Sequence, residues 1–280
     1  MKESHQLNWR LKLTHELKFS RLRTSLKIGD NMSFLVVYTL VLILAGVANA
    51  AENKKPVAVK PPDFNLKADL LDIKNPSTML YKFEKTVTKS GVDELVDRRF
   101  SDLSGNLIAE EKLTYKNGSL QKLDLVHKQI EQSGSLAVNG NTLTFSYTKE
   151  GKPKTSDETL DGILITTDQI YGFLNNNWDK LMKGETLNIR LPVLDRLETV
   201  GFKFFQEKEA DVDGIKTIVI KMKPSSFVIA ALVDPVMFYF HPTDQRPDGH
   251  KLIEIVGRTV PKRKDGDKWE DLDVIMKFRY

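Results

Sequence analysis

The 280-residue chain has no cysteine, which excludes disulfides, thiolate nucleophiles, cysteine metal ligands and a lipidated cysteine. Its formal charge of +4 sits in the first fifty residues, which hold seven Lys/Arg and three Asp/Glu; the remainder holds 35 of each. A balanced body gives no ground for nucleic-acid binding, and its length is enough for one β-rich domain with its own core.

Residues 1–33 are polar and basic, with Arg10, Lys12, Lys18, Arg21, Arg23 and Lys27. Phe34 to Ala45 is apolar, and Ala48-Asn49-Ala50 follows. A basic flank, a short apolar run and a small-x-small site are the parts of a secretory signal. Residues 1–50 are therefore expected to direct export to the periplasm or beyond, with cleavage after Ala50. The alternative is an uncleaved anchor over residues 34–50, although the apolar run falls short of the ~20 residues of a membrane span. Residues 51–77, with Pro56, Pro61, Pro62 and Pro76, read as a tether in which Leu66, Leu70 and Leu71 could form a short helical turn.

From Thr78 the pattern has period two. Met79, Tyr81, Phe83 and Val87 alternate with mostly polar residues, as do Leu123, Leu125 and His127, and then Leu143, Phe145 and Tyr147. Asn117-Gly118, Asn139-Gly140 and Glu150-Gly151 are hairpin signals, because tight turns need positive φ.

Asp161 to Arg196 breaks this pattern. Thr166-Thr167-Asp168-Gln169 fits a capping box, and Ile170, Leu174, Trp178, Leu181 and Met182 recur at helical spacing. A central helix over 168–183 is predicted, with Trp178 anchoring the core and Gly184 at the C′ position. Strands return around Leu187, Val200 and Ile218. Phe227 to Val233 reads as a short buried helix capped by Ser226, with a strand as the alternative. Further strands cover Val236–Phe240, Leu252–Val260 and Leu272–Phe278.

The predicted fold is mainly β (α+β): over residues 78–280, a strongly curved antiparallel sheet or open barrel wrapped around one or two helices. Asn177-Trp178, Leu181, Gly184-Glu185, Arg196, Met222-Lys223-Pro224-Ser225 and Asp234-Pro235 with Phe238-Tyr239-Phe240 resemble an exported bacterial family known as domain of unknown function 3108. The resemblance implies an exported protein with a curved sheet around helices, similar to bacterial lipoprotein carriers. It implies no catalytic residues.

No nucleophile elbow, phosphate loop or His-Glu-x-x-His is present. His241 and His250 flank a hairpin with Asp244 and Asp248, a spacing that matches no standard zinc site. Adjacent Glu110 and Glu111 point to opposite faces of a strand and cannot cooperate. No cofactor and no metal are expected, and enzymatic activity is not. Two classes remain. One is an envelope binder or carrier of an apolar or lipid-like ligand, lined by Leu143, Phe145, Tyr147, Tyr171, Leu174, Trp178, Phe202 and Phe204. The other is an envelope interaction module with a filled core. Membrane contact is expected only through the N-terminal segment where it stays uncleaved.

Overall fold

The protein is described here from a computed structural model covering residues 64–246 and 249–280. The expected export segment and residues 51–63 of the expected tether lie outside the described residues.

Among the described residues fifteen strands form one sheet. β1 (Leu66–Asp72) is followed by seven strands, each pairing with the next: β2 (Met79–Ser90), β3 (Asp93–Ser101), β4 (Leu107–Lys116), β5 (Ser119–His127), β6 (Gln132–Asn139), β7 (Thr142–Lys149) and β8 (Lys152–Thr159). Helices α1 (Ile170–Asn176) and α2 (Trp178–Met182) come next. A second meander then comprises β9 (Leu187–Val193), β10 (Glu198–Gln206), β12 (Ile215–Pro224), β13 (Val236–Arg246), β14 (Gly249–Asp265) and β15 (Lys268–Arg279). Short β11 (Ala210–Val212) pairs with β12, and the one-turn helix α3 (Phe227–Ala230) links β12 to β13. The hairpins turn where positive φ is available, as at Asn117 and Gly118 (φ 50° and 75°).

β1 joins the two meanders, running antiparallel to both β2 and β15. This corrects the tether reading. Ala68 and Leu70 are fully buried while their neighbours are not, so period two governs Leu66–Asp72, and a helical turn there would leave two strand edges unpaired.

The outer strands β8 and β9 share no ladder. The extended segment 160–166 spans the gap instead: Leu164 bridges Arg190 in parallel, and Arg190 N–H donates to Ile163 O (2.8 Å). Glu158 on β8 accepts from the Thr199 N–H (2.6 Å) and from Arg190 Nη2 (3.1 Å). The sheet is thus curved until its ends meet, with the 160–166 segment and the Glu158 side chain, and not a β8–β9 ladder, at the seam.

The interior is packed in separate apolar clusters. Ile170, Phe173, Leu174 and Leu181 of the helices meet Phe204, Ile220, Phe238 and Phe240. Leu113, Tyr115, Leu136, Leu143 and Phe145 form a second cluster. Ala68, Leu70, Phe83, Phe100, Leu272 and Val274 form a third.

The predicted central helix is two short ones, broken at Asn177 (φ −117°, ψ 20°), whose side-chain amide donates back to Phe173 O (2.9 Å). The capping box forms by half. Gln169 Oε1 accepts from the Thr166 N–H (3.0 Å), but the Thr166 hydroxyl donates to Asp168 (2.6 Å) and meets Tyr115 instead of capping. Gly184 adopts φ 81° as its expected C′ role requires, and its N–H donates to Leu181 O (2.9 Å). Trp178 is half-buried, stacked on His250 at 4.0 Å and edge-on to Phe240 at 5.1 Å. The short helix after Ser226 exists, but it is exposed where a buried one was expected: it lies between the end of β12 and the start of β13, and none of its residues is buried.

Candidate functional site

Strand register gives the sheet two distinct ends. The β13–β14 connection lies at the helix end, where the His250 N–H donates to Asn175 Oδ1 (2.6 Å). The β5–β6 and β9–β10 connections lie at the opposite, cavity end.

Between the two ends lies a buried polar group that fixes the start of α1. Arg98 on β3 faces inward with Val96 and Phe100, and donates to Glu111 of β4 and to Thr167. Its guanidinium also lies over the Phe83 and Phe100 rings (5.4 and 5.9 Å). Tyr115, two positions beyond Leu113 on the same face, reaches Thr166 (2.8 Å) and donates to Asp168 (2.9 Å). Burial pushes the Glu111 carboxyl up; Arg98 opposes the shift and Asp168 adds to it. Burial, reinforced by Asp168, holds the Tyr115 phenol well above its ordinary range. Glu110, on the outer face, pairs with Arg99 (3.3 Å) and Lys112 (3.1 Å), as strand alternation requires.

Toward the cavity end this group opens into a cavity of about 200 Å³. Leu123, Leu125, Leu191 and Leu194 supply apolar wall; Glu111, Thr167, His127, Gln132, Tyr147 and Thr259 supply polar groups. Gly134 permits one side of it. A Cβ there would come within 2.7 Å of the Tyr147 ring and 3.2 Å of Leu194, so only a bare backbone lets those two side chains close over β6. The Tyr147 hydroxyl donates to Gln132 Oε1 (2.5 Å), and burial with the nearby Asp195 carboxylate pushes its pKa up to about 12.

His127 is the most informative group. It is 3% exposed. Nε2 lies 2.9 Å from Val260 O, and a carbonyl only accepts, so Nε2 carries the proton and Nδ1 is an acceptor. Nδ1 is buried with no partner among the described residues, as is Thr259 Oγ1 beside it on the same cavity. Burial, with Lys262 adding to it, pulls the His127 pKa down.

A neutral buried imidazole has a stability consequence. With its folded pKa below the unfolded 6.5, the unfolded chain takes the proton first. Stability is therefore complete above 6.5 and falls as pH drops through 6.5 toward the folded value. His250, also depressed by burial, acts in the same direction. Urea midpoints measured across this window should fall with acid, and His127→Gln should flatten part of the slope. An unchanged slope would place His127 in water.

The residues expected to line one apolar site divide between clusters. Leu143 and Phe145 are buried in the second cluster, with Tyr147 packed against it. Leu174 and Phe204 are buried in the helix cluster, against which Tyr171, Trp178 and Phe202 pack. Of them, Tyr147 lines the 200 Å³ cavity. Trp178 borders a more open depression at the helix end with Asn175, Lys180 and His250. His127 continues the Leu123–Leu125 alternation, and that was its signal in the sequence. His241 Nδ1 accepts from the Asp244 N–H (2.8 Å) and His250 stacks on Trp178, so the two do not converge. Among the described residues no cluster of three or more His, Asp and Glu is arranged for a metal ion. No described helix is long and apolar enough to cross a membrane.

The fold is a barrel-like antiparallel sheet, curved around helices and not closed by a ladder between its outer strands. No family model matches the chain, so the family suggested by Asn177–Arg196 is not supported. No curated protein matches it either. Among solved structures the chain is similar to a beta-barrel-like protein of the domain of unknown function DUF1849 from Brucella abortus. The TM-score is 0.42 at 10% identity, covering 79% of this chain and 98% of that one.

Proposed function

We propose that this is an exported, non-catalytic binding module of the cell envelope, which holds a small hydroxyl- or amine-bearing part of an amphipathic ligand in the 200 Å³ cavity. The observation that carries the reading is His127 Nδ1, buried in the cavity lining with no partner among the described residues. A buried acceptor left unsatisfied costs roughly 1–3 kcal/mol, and native interiors leave few of them. A ligand N–H or O–H would satisfy it. The flanking Asp195 and Glu111 carboxyls also favour a donor, while the leucine wall suits a few carbons. At about 30 Å³ for each water's share of liquid, the volume matches ~7 water-sized groups. That is below the ~300–1,000 Å³ of common ligand pockets, so it admits part of a lipid-like molecule and not a whole acyl chain. The export signal in residues 1–50 supports the envelope location.

Native mass spectrometry of protein purified from its own host tests the reading. A dissociable adduct is expected on the wild type and not on Leu125→Trp, which fills the cavity. A bare mass for both would instead favour the second reading, an interaction module with a filled core, which the separate packed clusters support.

A further inference from the structure

The β12–β13 connection is built unlike the rest of the surface. Pro224 to Val233 contains no charged residue. Phe227, Val228 and Leu232 are 88%, 69% and 70% exposed. Part of the backbone is nonetheless satisfied within the loop. The Ala230 N–H donates to Ser226 O (2.9 Å), Ala231 N–H to Phe227 O (3.1 Å), and Leu232 and Val233 N–H to Ile229 O (2.9 and 3.0 Å). The Ser226 hydroxyl accepts from the Ile229 N–H. Internal bonding of these peptide groups lowers the cost of taking the turn into an apolar phase.

Its surroundings fit a lipid surface. Register places the loop at the cavity end, where Ser225 N–H donates to Gly201 O (2.8 Å) beside the β9–β10 turn. Lys203 and Lys223 face each other across β10 and β12 just below the loop, and neither forms an ion pair among the described residues. Lys223 lies over the Phe205 ring (5.2 Å). The β14–β15 hairpin runs past Gly257, the partner strand's level with Val274, to its tip at the same end. There Trp269, 42% exposed, carries Lys264 over its ring at 5.8 Å. Exposed apolar side chains with two lysines behind them that form no ion pair among the described residues match the depth order of a bilayer interface, hydrocarbon below cations.

We propose that the Phe227–Leu232 loop inserts into the interface of an anionic bilayer, bringing the cavity end of the sheet against the membrane independently of the N-terminal segment.

The absence of cysteine makes the test clean. Val228→Cys in the host-processed full chain takes one environment-sensitive dye, and Val92→Cys, exposed at the β2–β3 turn of the helix end, takes the same dye as control. With phosphatidylcholine vesicles containing phosphatidylglycerol, the dye at 228 should shift to the blue and be quenched by spin-labelled acyl chains, while the dye at 92 stays aqueous. Lys203→Gln with Lys223→Gln, folded by circular dichroism, should weaken association by roughly 30-fold, about fivefold per lysine. A dye at 228 that stays aqueous on bound vesicles overturns the proposal. So does a blue shift that grows with protein concentration without lipid, which would make the loop a contact between copies. Neither result depends on whether the cavity holds a ligand, so this inference and the binding reading fail separately.

Discussion

Arg98→Met is expected to lower stability by about 3–5 kcal/mol at neutral pH, because it leaves the buried Glu111 carboxylate without its cation. Glu111 already titrates above the ordinary carboxylate range through burial and the neighbouring Asp168, and Arg98 is what restrains that shift. Without Arg98 the folded state holds its proton at a pH where the unfolded chain has released it. A folded pKa raised above the unfolded 4.5 makes stability drop as pH rises through the raised value. The loss relative to wild type should therefore be smaller at about pH 5 than at about pH 8, and Arg98→Met with Glu111→Met should recover most of it. Urea unfolding of the three proteins at both pH values measures this. A loss independent of pH would mean that Arg98 acts through its contacts with Phe83 and Phe100 and not through charge.

Phe145→Ala should cost about 3–5 kcal/mol, through lost contacts and the cavity left behind. Phe145 is fully buried among Leu113, Tyr115, Leu136 and Leu143. Phe204→Ala should cost a similar amount in the helix cluster. Because the two rings belong to different clusters, the double variant should lose the sum of the two within about 0.5 kcal/mol. Denaturant titration of the two single variants and the double decides it. A strong coupling would mean that both rings line one space, as the sequence pattern alone suggested.

These two expectations mark what the amino-acid order reveals here. Leu143 and Phe145 alternate with threonines, so their inward face is visible in the sequence, and so is that of His127 after Leu123 and Leu125. Alternation says which face a residue takes but not which part of the interior it meets. Phe145 and Phe204 both point inward, yet they pack on different elements, and that depends on how the sheet curves. The Arg98–Glu111 pair needs the β3–β4 register, which no single strand carries. Leu66, Leu70 and Leu71 fit a helical turn by spacing, and β15, two hundred residues away in sequence, makes them a strand. The break at Asn177 comes inside an unbroken apolar stripe, and a side chain bonding back to Phe173 O produces it. The apolar Phe227–Val233 run reads as buried because hydrophobicity usually means core; its exposure follows from its place past the strand ends.

The central claim is that the cavity beside His127 receives a ligand, and the ¹⁵N resonance of its Nδ1 tests this most directly. Protein as purified from its host should be compared with the same protein unfolded, washed free of small molecules and refolded. Nδ1 is expected to resonate upfield in the purified form, as an acceptor bonded by a ligand donor, and to move downfield to the position of a bare neutral ring once stripped. Identical Nδ1 resonances in the two samples, with the fold recovered, would contradict the account.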